Sequence, residues 1–388
     1  MITKRSAHTL KSLLSATGFV ALLIQSSSSA LAATATRAPF GKMPDGTLVE
    51  AVTLANSKGI SATLITYGAT IQALNVPDRK GVIADIELGY DDLASYLTKP
   101  NYWGSTIGRY ANRIGGAHFV LDGKTYQISR NNKTATLHGG AEGFDKRVWQ
   151  IGAVKQGPTV SVAMTLVSPD GDQGYPGELR ATVTYSLDDA GSLTLDFDAT
   201  SNAPTVVNLT NHALFNMAGE GSAYGVLNQR LTIPASHYTP VDEALIPTGV
   251  LQPVAGTVFD FTKGRLLWDG LRDGHDPQIV IGRGYDHNFA IDAGLTKTTK
   301  LVARMEDPAS GRVMEILSTE PGLQVYTGNF LDGTLIGKGG HIYRMGDGIA
   351  LEPQKFPDAP NQPAFVSGRV EPGKPYHHRM VLKFSTTP

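Results

Sequence analysis

The chain has 388 residues with 34 basic against 35 acidic side chains, a balance that gives no electrostatic case for nucleic acid as a partner. Hydrophobic residues make up 41%, enough for a large core, and the 43 glycines and 22 prolines are scattered as turns would scatter them. With no cysteine in the chain, disulfides, thiolate catalysis, iron–sulfur clusters and cysteine-based zinc sites are excluded.

The N-terminus predicts a secretory signal peptide over residues 1–32. Lys4, Arg5 and Lys11 give a basic start, Leu13–Ile24 is apolar, and Ala30-Leu31-Ala32 matches an A-x-A cleavage site. The apolar run is too short to cross a bilayer comfortably. The expected mature chain, 33–388, is therefore slightly acidic, free of stable membrane association, and exported to the periplasm or the medium.

Further along, Asp91–Leu97 reads as a short helix capped by an aspartate. Val120–Ile128 reads as strand, Asp-Gly turn, strand. Thr159–Val167 alternates Val160, Val162, Met164 and Leu166 with small polar residues, and Leu193, Leu195 and Phe197 alternate with Asp196 and Asp198. This period of two marks sheets with one buried and one wetter face. No βαβ rhythm, fixed-period repeat or Pro/Ser linker interrupts the rest. The expectation is one all-β domain, mostly antiparallel, over 33–388.

Standard cofactor motifs fail. There is no Walker lysine motif, no HExxH and no G-x-S-x-G elbow, and the glycines at 282 and 284 lack the third of a dinucleotide loop. The histidines show no zinc spacing; adjacent His377 and His378 would point to opposite faces of a strand. The reading is no metal and no cofactor, with proton transfer by His, Asp and Glu as the remaining chemistry.

Five islands combine polar side chains with Gly, Pro or aromatic neighbours: Gly108–Ile114, Thr136–Gly140, Asn208–His212, Gly284–Phe289 and Leu351–Pro363. Each alone reads as a turn. Together, the ordered motifs NRI, LHGG, NLTNHALFN, PVDEALIPTG, GYDHNF, YTGNFLDG and PDAPNQP resemble the aldose 1-epimerases, or galactose mutarotases, over Leu48–Ser385. The resemblance implies a large antiparallel β-sandwich of the galactose mutarotase-like supersandwich type. It also implies cofactor-free interconversion of the α and β anomers of free sugars such as galactose and glucose.

The bottom-up chemistry is consistent with that. Opening a cyclic hemiacetal needs one base at the anomeric hydroxyl and one acid at the ring oxygen, with no nucleophile, metal or redox centre. The resemblance makes Glu352 the base, kept ionised by a wet or hydrogen-bonded site. It makes His212 the acid, with a nearby carboxylate raising its pKa. Arg113, His138, Asp286, Asn112 and Gln324 would bind the monosaccharide, His138 near the anomeric hydroxyl and beside glycines that admit a ligand. Arg113 and Asp286 have an alternative as a structural pair. The asparagines around His212 would pin the loop or meet sugar hydroxyls, and Phe215 or Phe356 would stack on the sugar. A monomer is expected. The competing functions are a sugar-binding module without turnover, a glycoside hydrolase using Asp286 and Glu352, and an epimerase of phosphorylated hexoses.

Overall fold

A computed structural model describes residues 33–99 and 101–388; the expected signal peptide, 1–32, lies outside the described residues. The alternating segments form a nine-stranded antiparallel sheet. Its first four strands are Gln150–Lys155, Thr159–Ser168, Leu179–Asp188 and Ser192–Ser201, followed by Tyr376–Thr386 and Arg312–Ser318. The register sets apolar side chains in rows across this sheet: Met164 opposite Val183, Val183 opposite Phe197, and Leu195 opposite Met380. All of these are fully buried. The opposite face is polar, with Thr165 bonded to Thr182 and Arg379 forked onto Asp196. His377 is on the exposed side of its strand and His378 on the buried one, as adjacency requires.

A five-stranded antiparallel sheet, from Thr34–Lys42 to Ile83–Asp85, packs Val52, Leu54, Leu64 and Leu74 into the same core. A six-stranded sheet completes it, with neighbouring strands Ile349–Gln354, Gly322–Tyr326 and Asp286–Ala290 at its centre. Their residues Ile349, Leu351, Leu323, Val325 and Phe289 face the core. The intervening residues, which share the other face, include Glu352, Gln324, Tyr326 and Asp286, with Gln324 directly opposite Glu352 and Tyr326 opposite Asp286. Strand alternation therefore delivers a polar row to one face and a hydrophobic row to the other.

The predicted local elements form. The helix spans Leu93–Thr98, and the Asp92 carboxylate accepts a hydrogen bond from the Ser95 N–H at 2.8 Å. Strands His118–Leu121 and Lys124–Gln127 meet through Asp122 and Gly123 at φ 52° and 75°, the paired positive dihedrals of a tight hairpin turn. A later helix, Pro277–Gly282, carries a signal that alternation does not reveal: Asp276 caps it and proline opens it. Among the described residues, no helix is long and apolar enough to cross a membrane.

Candidate active site

Glu352, Gln324 and Asp286 project from the polar face of the central strands into a cavity of about 210 Å³. Asn112, Arg113, His138 and His212 reach the same cavity from loops, so all seven residues singled out in the sequence line one space. His212 Nε2 lies 3.7 Å from Glu352 Oε1. The rings of His212 and His138 are 5.1 Å apart, edge to face.

The loops are held by main-chain chemistry. Asn112 and His138 both adopt positive φ, 62° and 52°. Two hydrogen bonds lock them together: His138 N–H to the Asn112 carbonyl at 3.0 Å, and Asn112 N–H to His138 Nδ1 at 3.2 Å. Because Nδ1 accepts, neutral His138 carries its proton on Nε2 and presents a donor to the cavity. The glycines that follow serve a different purpose from the one expected. A Cβ on Gly139 would sit 2.0 Å from the Gly108 carbonyl, so this glycine makes room for protein backbone rather than for a ligand. Arg109 and Arg113, four residues apart, have separate destinations. Arg109 is buried against the Ser168, Pro176 and Gly177 main chain and side chains, while Arg113 enters the cavity.

On the strands next to Glu352, Gln324 donates to Asp286 Oδ1 at 2.6 Å, and Arg113 Nη1 stands 3.9 Å from Asp286 Oδ2. Arg113 and Asp286 are thus a buried pair that still faces the cavity. Burial pushes the Asp286 carboxyl up against the opposing pull of Arg113 and the Gln324 bond.

The electrostatics overturn two expectations about the reacting groups. The Glu352 carboxyl is 1% exposed, Oε2 has no hydrogen-bond partner, and burial pushes its pKa well above the usual carboxylate range, helped by the nearby charge of Asp286. The site is therefore not the wet or well-bonded one expected to keep it ionised. Nor is the His212 imidazole raised: burial lowers it to about 4. Desolvation dominates because both side chains are almost wholly buried. In the free protein burial thus favours the neutral form of both the carboxyl and the imidazole.

Neither expected stacking ring reaches the site. Phe215 is fully buried in the core, and Phe356 packs on Phe365 with ring centroids 5.1 Å apart. The aromatic lining comes from Tyr102, Trp103, Tyr326 and Phe330. Tyr102 covers His138 at 4.4 Å, and Tyr326 stacks with the half-exposed Phe330 at 6.1 Å, forming a lip. Tyr326 lies in a motif used above; Tyr102 and Trp103 carry no spacing that marks them. The asparagines near His212 pin the backbone. Asn211 donates to the Gly104 carbonyl at 2.6 Å, and Asn216 bonds Ser222 and the Asp347 carbonyl.

His138, His212 and Glu352 offer three ligand atoms within 4.8 Å of one another. A metal on His138 Nε2 would drive the ring proton to Nδ1, where it would meet the Asn112 N–H head on. That donor set does not fit a metal ion. It fits a pair that exchanges protons beside a fixed donor.

A family model described as aldose 1-epimerase matches residues 50–383. Galactose mutarotase from Mus musculus is 45% identical over 351 residues, covering 90% of this chain and 98% of its own. Aldose 1-epimerase from Escherichia coli K12 is 39% identical over 336 residues, covering 86% and 94%. Among solved structures, an aldose epimerase homologue from C. elegans superposes with a TM-score of 0.79 at 32% identity, covering 87% of this chain and 99% of that one.

Proposed function

Because the chain belongs to the aldose 1-epimerase family, we propose that it interconverts the α and β anomers of free aldoses such as galactose and glucose by acid–base ring opening. The observation that carries the proton-transfer reading is the His212–Glu352 separation of 3.7 Å inside a monosaccharide-sized cavity. In the reactive form Glu352 is a carboxylate and His212 an imidazolium. Glu352 takes the proton of the anomeric hydroxyl as the C1–O5 bond breaks. The bonding electrons go to O5, which takes the proton of His212. The site then holds a carboxylic acid and a neutral imidazole beside an aldehyde. Rotation about C1–C2 presents the other carbonyl face, and the same steps run backwards.

No proton is gained or lost overall, and the open-chain stage uses the protonation that burial favours in the empty site. The closed-ring form of the pair, disfavoured by desolvation, is then met by sugar hydroxyls as the substrate replaces water. Shifting the two pKa values toward each other in this way brings the two proton distributions close in energy, which a reversible transfer requires. His138 donates from Nε2 to O1. Arg113, Asp286 and Gln324 orient the hydroxyls remote from C1, and Asn112 holds His138. Asp286, tied to Gln324 and Arg113, is not a free second acid of the kind a hydrolase uses.

Polarimetry of freshly dissolved α-galactose and α-glucose tests this: the protein should abolish the lag to equilibrium rotation. A rate equal to the spontaneous one would reduce the molecule to a binding module. We further infer that residues 1–32 direct export and that the mature chain acts as a monomer on sugar outside the cytoplasm. There it would feed a transporter that selects one anomer. Cell fractionation that finds the full-length chain only in the cytoplasm would overturn the export.

A further inference from the structure

The segment Asn208–His212 runs beside Glu352–Lys355, yet none of the described main-chain hydrogen bonds joins the two. Alternate side chains cross the gap instead. Asn208 brackets Lys355, with Nδ2 donating to its carbonyl at 3.2 Å and Oδ1 accepting from its N–H at 2.9 Å. Thr210 Oγ1 donates to the Pro353 carbonyl at 2.8 Å. His212 Nε2 faces Glu352 Oε1 at 3.7 Å. Residues 208, 210 and 212 thus meet 355, 353 and 352 in antiparallel order. Their period of two puts them on one side of an extended segment.

We propose that Asn208 and Thr210 are positioning residues for the reaction. They are two fixed rungs of a side-chain ladder whose third rung is the pair that shares the proton. This rests on the acid–base reading above. Pro353 has no N–H, so an ordinary strand ladder is interrupted beside Glu352, and the Thr210 hydroxyl supplies the cross-link that the backbone lacks. Both side chains are wholly buried, where geometry is held by packing. Asn208 Nδ2 also reaches the Ala111 carbonyl at 3.4 Å, next to the Asn112 N–H that fixes His138. One amide therefore connects the segments that carry His212 and Glu352 to the one that holds His138.

Thr210→Val keeps the shape and removes the hydroxyl. It should lower kcat about 10- to 100-fold, the cost of a drift approaching 1 Å, while KM stays within about twofold. Thr210→Ser should restore most of the rate. Should Thr210→Val fail to fold, Asn208→Asp gives the same test, since it keeps the bond from the Lys355 N–H and loses both donated ones. A lower melting temperature with kcat unchanged in the folded fraction, or no rescue by serine, overturns the proposal. Glu352→Gln is the control. If it remains active, the acid–base reading fails. If it is dead while Thr210→Val turns over normally, only the ladder fails.

Discussion

Glu352 and His212 sit within reach of each other, and burial disfavours the charged form of both. Infrared difference spectra of the free protein against Glu352→Gln should show a protonated-carboxyl band. It should persist to pH values where ordinary carboxylates are ionised. Absence of that band would mean that the wall is wetter than its packing indicates. Removing the base while keeping its shape, Glu352→Gln should cost about 10²–10⁴-fold in kcat with sugar binding retained, and His212→Asn a similar factor. Arg113→Ala should weaken binding and turnover together, since it also leaves the Asp286 charge without its cation. The residue types in the islands were legible from the sequence. Their protonation was not, because desolvation depends on the Tyr102, Trp103 and Tyr326 rings that close the wall from distant segments.

Along the strand Asp286–Ala290, Asp286 faces the cavity while His287 faces the core, against Phe259 with centroids 4.8 Å apart. His287 is neutral, its Nδ1 accepting from the Asp286 N–H and its Nε2 bonded to Gln278 on the helix Pro277–Gly282. Burial lowers its pKa to about 3, against an ordinary 6.5 when unfolded. The unfolded chain therefore binds more protons below pH 6.5, and the stability due to this histidine is lost as pH falls toward 3. Urea midpoints of wild type and His287→Gln should differ most above pH 7 and draw together steadily as pH falls from 6.5 toward 3; a constant difference would deny the shift. The strands themselves were readable from period two, and the helix Leu93–Thr98 from its aspartate cap. The helix Pro277–Gly282 was missed because its six residues are too few to show a helical period, leaving only Asp276 and Pro277 as a sign.

Across the whole molecule, the cavity joins residues from Asn101 to Glu352, and no local pattern states that such distant loops converge. Family motifs conveyed it where periodicity did not, and Phe215 and Phe356, named as stacking rings, proved to lie in the core and in a small cluster with Phe365. The three central strands have a consequence for how such a chain can change over generations. Their polar and hydrophobic rows differ only by parity. Deleting or adding a single amino acid within Ile349–Gln354 would rotate the carboxylate into the core and a leucine into the cavity. Length variation among descendants is thus confined to the connecting turns, while these short segments can drift in composition but not in count.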